Sequence, residues 1–499
     1  MSLLLRNARI VGARQESVGT EPVDLLLRRG VVTGIGAGLT GSAQVDLDGR
    51  WVIPGLWDDH VHLSQLALTA HRVDVSGATS AVHAARLMAT APRPEHGLPL
   101  VGYGFRDALW PDGPSCTLLD EVVGDVPVIV LSGDLHCCWL NSLALAAFGL
   151  TGHSSGVLRE DDAFPVTAAV RSVPVEVLDR WVEQVAGAAA GRGVVGVVDL
   201  EMTDNLTDWT RRFAGGFRGL RVEAGVYTSW LDAAIEEGRR TGQVLDGSSG
   251  QLSVGPFKVI TDGSLNTRTA FCADPYPGTA GRGTLNVPPA RLVELMRKAS
   301  GAGLMPAVHA IGDEANRLAL DAFETVGCRG RIEHAQLVQE SDFARFAALG
   351  VAASVQPEHA MDDRGVADVF WAGRTGRAFA LRALLDAGAE LILGSDAPVA
   401  PLDPWVTIAA AVGRSRDGQA PWHPEQRITT AEALTASAHG ASTVALGDVA
   451  DLAIVDLDPL AATHEQLRSM PVAATLLAGY FTHNALPLGR ADELDLVCR

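Results

Sequence analysis

The sequence predicts an α/β protein: a (β/α)8 TIM barrel with a small β module assembled from the two chain ends. Three observations carry this. From about residue 178, helical patterns alternate with short buried apolar runs, the rhythm of a parallel sheet with crossover helices. With the run that ends at His62 there are eight such runs, the number that closes a barrel. Both chain ends instead carry short strand patterns separated by turns.

Residues 1–50 contain Leu3–Ile10 and Val23–Leu27, strand-length apolar stretches punctuated by Gly30, Gly36 and Gly38. The run Trp51–His62 leads into the first barrel strand. Residues 64–160 break the rhythm and read as a long insertion. It holds a helical stretch near 79–90, apolar runs at Leu100–Gly104 and Pro127–Leu131, a helix start at Asp134–Ser142 and a loop over Gly149–Gly156. The other seven barrel strands are expected at Val194–Leu200, Leu220–Val226, Phe257–Ile260, Pro306–His309, Arg331–His334, Ala352–Gln356 and Leu391–Gly394. After 445 the chain returns to short strands, Asp451–Asp456 and Ala474–Tyr480, which rejoin the N-terminal module. The expected domains are 1–55 with 445–499, and a barrel over 56–444 with an insertion at about 64–160.

Composition narrows the function. A chain of 499 residues can bury a large core. Its 40 basic and 59 acidic residues leave a net charge of −19, which argues against a nucleic-acid or anionic-membrane surface, since both need a basic footprint. No apolar run approaches the ~20 residues that span a bilayer. Met1–Arg6 lacks the regions of a secretory signal. The six cysteines form no Cys-x-x-Cys pair and no disulfide framework. The expectation is a cytoplasmic protein acting on a small molecule, with homo-oligomerisation left open.

Candidate chemistry falls at the ends of the barrel strands. In a strand, residues i and i+2 share a face, so His60 and His62 aim at one spot beyond the first strand's end. Neutral imidazole is the commonest metal ligand. Later runs terminate around Lys258, His309, His334 and Asp396. Singly, each histidine reads as a hydrogen-bonded core or loop residue. Together, at the carboxyl ends where barrels carry their chemistry, four imidazoles and one carboxylate make a suitable set for Zn²⁺ or a similar ion.

Lysine usage is a second signal. Only Lys258 and Lys298 among the 40 cationic residues are lysine, so 40 − 2 = 38 are arginine. Lys298 lies in an amphipathic run and reads as an exposed helix residue. Lys258 lies inside an apolar strand, where burial disfavours the ammonium. A neutral amine can react with CO2 to form a carbamate, a bridging anionic ligand; arginine cannot, because its guanidinium stays protonated. Charge counting agrees: a carbamate, Asp396 and a hydroxide offset most of the charge of two divalent ions. The competing reading is an ion pair between Lys258 and Asp262.

Several stretches resemble the amidohydrolase superfamily, and within it the YtcJ-like amidohydrolase family 3. They are Val52–His62, Phe257–Leu265, Val308–Asp313, Arg331–Ala335 and Leu393–Pro398, joined by Trp139–Leu145 in the insertion and Ala450–Asp456 near the end. The resemblance implies a distorted (β/α)8 barrel, a flanking β-sandwich and one or two metals, usually zinc. By motif position His60, His62 and Asp396 would hold one ion and His309 and His334 a second, with carboxylated Lys258 bridging them. The chain departs from the family pattern at Asp58-Asp59 and at Gly133-Asp134-Leu135-His136, where Asp-Gly-His is usual; His136 is the nearest match to the substrate-contacting histidine.

The expected reaction is hydrolysis of a C–N bond in an amide, cyclic amide or N-acyl or N-formyl group by metal-activated hydroxide. Asp396 would take the proton and deliver it to the leaving nitrogen, and a second metal or His136 would polarise the carbonyl. Trp110, Trp139, Phe370, Trp371 and Trp405 fall in regions expected near the mouth and suggest an apolar or aromatic substrate group. Arg268 could bind a substrate carboxylate or anchor its own loop. A lactonase- or esterase-type hydrolase of C–O or P–O bonds would use the same ligands. A non-catalytic scaffold would not need to keep all of them.

Overall fold

The computed structural model describes residues 2–12, 21–94, 97–107, 110–132, 137–153, 155–159, 162–170 and 172–486. Eight parallel strands form the central sheet: β1 (Leu56–Val61), β2 (Val194–Asp199), β3 (Arg221–Tyr227), β4 (Leu252–Ile260), β5 (Pro306–Ala310), β6 (Gly330–His334), β7 (Val351–Val355) and β8 (Leu391–Leu393). Each pairs with its neighbours in sequence order, so the sheet runs from β1 to β8. β4 begins at Leu252, five residues before the expected Phe257, and pairs along its length with β3. The sheet is nearly closed. Its two edges meet through an isolated bridge between Val61 and Ala397 and through two backbone bonds, Asp396 N–H to His60 O (2.7 Å) and His62 N–H to Ala397 O (2.8 Å).

The helices between strands follow from apolar spacing. Pro289–Gly301 buries Leu292, Leu295, Met296 and Ala299, one face of a helix. Asp313–Val326 ends at Gly327, whose φ of 68° is a left-handed cap that glycine takes at little cost. Among the described residues no helix is long and apolar enough to cross a membrane.

A separate sheet joins the chain ends. Its main path runs Tyr480–Asn484, Val472–Leu477, Leu452–Val455, Trp51–Pro54, Ser2–Ile10, Val23–Arg28 and Val31–Gly36, and Ala43–Asp46 pairs with Ser2–Ile10. Antiparallel pairing of Val52 with Ile454 ties the N-terminal segment to the C-terminal one. Leu5, Leu25, Val52, Leu452, Ile454 and Leu476 lie in its core.

Barrel and terminal sheet form one compact unit; Ser64–Val185 form a second. The second unit runs past residue 160, where the sequence pattern ended the insertion, because Val166 and Val170 pack into the insertion's core. That unit carries a five-stranded sheet ordered Val157–Arg159, Cys137–Leu140, Val128–Ser132, Leu100–Phe105 and Val73–Asp74. The sheet is buried on both faces: Val128 and Val130 belong to one apolar cluster, and Ile129 and Leu131 to the other. This explains why these strands read as continuous apolar runs without alternation.

Candidate metal centre

The closure of the barrel brings the first ligands together. His60 and His62 share a face at the end of β1, and the segment after β8 crosses them at Asp396. His60 Nε2 lies 3.5 Å and His62 Nε2 3.3 Å from Asp396 Oδ1. Asp58 Oδ1 holds the two segments in register by accepting the Ser395 N–H (2.8 Å) and the His60 N–H (3.2 Å). The approach requires Gly394, because a Cβ there would sit 2.8 Å from His60 N and 2.9 Å from its Cβ. Asp396 itself has a φ of 58°, a left-handed conformation of the kind that collects at functional sites.

The remaining residues join the same cluster. Lys258 Nζ on β4 is 3.4 Å from His60 Nε2. The His334 ring lies 5.0 Å, centroid to centroid, from His60 and 4.5 Å from His309. Ligand-capable atoms of His60, His334 and Asp396 all fall within 4.8 Å of one another. His334 reaches this place through a φ of 75°. Strand alternation alone would set it opposite Glu333, its neighbour on β6.

Outer hydrogen bonds fix the tautomer of two rings. His60 Nδ1 is 2.8 Å from Glu333 Oε2 and His334 Nδ1 is 2.8 Å from Gln356 Oε1. Both partners accept, so both rings carry the proton on Nδ1 and present an Nε2 lone pair. Such an outer acceptor fixes the ring and raises the basicity of a ligating nitrogen. His309 lies beside Asp262, with Nε2 3.4 Å from its Oδ1. Asp262 is not paired with Lys258: it accepts the backbone N–H groups of Phe271 (2.9 Å), Ile311 (3.1 Å) and Gly312 (2.9 Å).

Electrostatics favour the same states. Burial, reinforced by Lys258, pushes His60 well below the usual imidazole value, and burial does the same to His334. Burial lowers the Lys258 amine to about 8. Burial opposes the charged form of His62, but Asp396 outweighs it and raises its pKa. Burial likewise opposes an ionised Asp396, yet His60 and His62 hold its carboxyl well below the carboxylate range. Neutral His60 and His334, an ionised Asp396 and, once their protons leave, His62 and Lys258 form a donor set suited to a divalent ion of the zinc type. The set fits the metal that the sequence implied.

Four residues near this centre carried no site assignment in the sequence reading: Glu333, Gln356, His359 and the carboxylate Asp262 as a scaffold. His359 lies in the first turn of the helix Pro357–Phe370, directly after β7; its Nε2 is 4.0 Å from Asp396 Oδ2 and has no hydrogen-bond partner, while its Nδ1 is 3.4 Å from Gln336 Nε2. Its signal was Gln356-Pro357-Glu358-His359, a strand end running into a proline-started helix.

The candidate substrate residues fare differently. His136 lies outside the described residues. Trp139 is fully buried in the core of the second unit, and its indole N–H donates to Ser115 O at 2.9 Å. This corrects the substrate contact expected of it: the ring fills an apolar cluster with Phe105 and Met88, and its one polar group is already satisfied. Trp371 and Trp405, expected near the mouth, are also fully buried. Arg268 is exposed, with a φ of 56°, and its guanidinium lies 5.4 Å from the Phe370 ring centroid.

A parallel barrel with imidazoles, a lysine and an aspartate at the carboxyl ends of its strands is the frame of a metal-dependent hydrolase. The chain belongs to the amidohydrolase family, whose model matches residues 43–483. It is similar to Protein LONG AFTER FAR-RED 3 of Arabidopsis thaliana, 30% identical over 88% of this chain and 83% of that protein. It is 25% identical to an N-substituted formamide deformylase of Arthrobacter pascens over 89% of this chain and 90% of the relative. Among solved structures, an uncharacterized metal-dependent hydrolase from Pyrococcus horikoshii OT3 superposes with a TM-score of 0.78 at 26% identity, covering 93% of this chain and 99% of the other.

Proposed function

We propose that this protein hydrolyses a C–N bond of a small molecule, an amide, cyclic amide or N-acyl or N-formyl group, at a centre of one or two divalent ions, zinc first among them. The observation that carries the reading is the cluster itself: Asp396 lies against two inward imidazole nitrogens, with a buried lysine beside the same histidine. The deformylase among the relatives supports a C–N bond as the one cleaved.

His60, His62, His309, His334 and Asp396 would hold the ions, and Lys258 would bridge them as a carbamate. Its neutral amine adds to CO2, forming an N–C bond and releasing one proton. When bound, a divalent ion supplies a Lewis acid and lowers the pKa of water. The chain's own residues do the rest. Glu333 and Gln356 hold two imidazoles in the tautomer that turns a lone pair inward. The Asp396 carboxylate, kept ionised by His60 and His62, accepts a proton from the attacking water and returns it to the leaving nitrogen. His136 polarises the substrate carbonyl, and Arg268 holds a substrate carboxylate.

The test is metal analysis of the purified protein, followed by a panel of N-formyl amides, cyclic amides, lactones and phosphoesters. Stoichiometric zinc with turnover of an amide or formamide is the expected result. Turnover confined to lactones or phosphoesters would move the reading to C–O or P–O bonds, and a metal-free protein with undiminished turnover would overturn it.

A further inference from the structure

We propose that Glu333, Arg331, Asp59 and His439 are positioning residues that fix His60 from the opposite end of the barrel. This rests on the reading of His60 as a metal ligand. The contacts form one unbroken line. Glu333, wholly buried, faces His60 Nδ1 at 2.8 Å through one oxygen and, through the other, forms an ion pair with Arg331 Nε at 2.5 Å that lacks hydrogen-bond geometry. Arg331, also buried, donates from Nη2 to the backbone O of Asp59 at 3.0 Å, and its Nη1 lies 3.8 Å from Asp59 Oδ1. That oxygen is 2.9 Å from His439 Nε2, and the His439 ring stacks on Trp57 at 3.8 Å. Asp59, Arg331 and His439 border a cavity of about 720 Å³, ringed by residues such as Gly330, Ala352 and Leu391 from the starts of β6, β7 and β8. It therefore opens at the end of the barrel away from the metal ligands.

The geometry assigns Arg331 a double grip. Through Glu333 it acts on the ring of His60; through the Asp59 carbonyl it holds the peptide immediately before His60. The extended guanidinium sets one nitrogen against the Glu333 carboxylate and another on the Asp59 carbonyl, whereas an ammonium is a single point charge. Stability alone does not call for this arrangement, since replacing a buried ion pair with apolar side chains of similar volume is often neutral or stabilising. A carboxylate on Nδ1 instead serves the other nitrogen, making the imidazole a better ligand and locking its orientation. Arg331 and Asp59 in turn set how much of the Glu333 charge reaches the ring.

The test uses the full-length protein, freed of metal and titrated with Zn²⁺ against a competing chromophoric chelator, with the visible spectrum of the Co²⁺ form recorded in parallel. Glu333→Gln is expected to weaken Zn²⁺ binding about 10–100-fold. Asp59→Asn and His439→Ala, which remove no proposed ligand, should weaken it about 2–30-fold and shift the Co²⁺ absorption. In the double variant Glu333→Gln, Asp59→Asn, the loss should stay close to that of Glu333→Gln alone, because Asp59 acts through the residue already changed. Arg331→Lys should resemble Glu333→Gln; should it fail to fold, Asp59→Asn, which keeps size and the Oδ1 acceptor, decides the matter. Wild-type affinity and an unshifted Co²⁺ spectrum in both Asp59→Asn and His439→Ala would overturn this inference alone, as would a double variant whose loss is the product of the single losses. A wild-type chain that takes up neither ion would overturn the metal reading and this inference with it.

Discussion

Replacing Lys258 separates what the residue costs the fold from what it does for the site. Its side chain is 2% exposed, and burial pushes its amine from 10.5 down to about 8. Converted at about 1.4 kcal/mol per pKa unit, the difference of about 2.5 amounts to roughly 3 kcal/mol that the metal-free fold loses at neutral pH by holding the ammonium. The folded amine is the weaker base, so between pH 8 and 10.5 the unfolded chain binds the extra proton. The loss is therefore full below about pH 8 and fades as pH rises towards 10.5. Lys258→Met removes it: chelator-treated variant should be more stable than wild type by about 3 kcal/mol at pH 7 and by less than about 1 kcal/mol at pH 10. Lys258→Arg cannot shed its proton and should be less stable than wild type at both values. Neither variant can form the carbamate, so both should lose at least one metal and nearly all turnover. Urea unfolding at the two pH values, with metal content measured alongside, reads all of this. A Met variant no more stable than wild type at pH 7, or an advantage undiminished at pH 10, would refute the reasoning.

Asp396→Asn keeps a carbonyl ligand but cannot accept a proton; turnover should fall about 10²–10⁴-fold while metal analysis still finds most of the ion. Burial raises Asp58 to about 7, so its ionised form begins to cost stability above about pH 4 and does so fully above about pH 7. Asp58→Asn should therefore gain on wild type in urea midpoint between pH 4.5 and pH 8. Gly312→Ala would set a Cβ 2.1 Å from Phe271 O, in the turn that Asp262 gathers beside His309; a loss of about 1–3 kcal/mol and weaker metal uptake are expected in unfolding and metal-binding assays. Trp139→Phe should cost about 1 kcal/mol through the bond to Ser115 O, seen as earlier unfolding, with KM unchanged where the protein is folded.

The strand ends were legible because burial imposes apolar runs, and a polar residue that ends such a run stands out. His60, His62, His309, His334 and Asp396 stand out this way as candidates, and Lys258 by its place inside an apolar strand, yet for His334 the face rule gives an incomplete reason. Arg331 and Glu333 share one face of β6, and an unperturbed strand would send His334 to the other; the φ of 75° returns it to the cluster. No periodicity reports the sign of a single φ. Outer-shell partners were illegible for a different reason. Glu333 meets His60 across 273 residues of chain, and nothing at either position marks the pairing before the barrel closes. Trp139 shows the reverse error. An aromatic residue in the insertion looked available to a substrate, but a sequence does not show whether an indole N–H has found its acceptor, and here Ser115 O supplies it within the core. Lysine usage escapes both limits, because it concerns the chemistry a residue type permits and not where it points. A chain with 38 arginines and two lysines places one lysine on the surface against Asp232 and the other, wholly enclosed, beside His60. Burial pushes the amine of the enclosed one down to about 8, and the carbamate proposed for it is a role that arginine, always protonated, could not take.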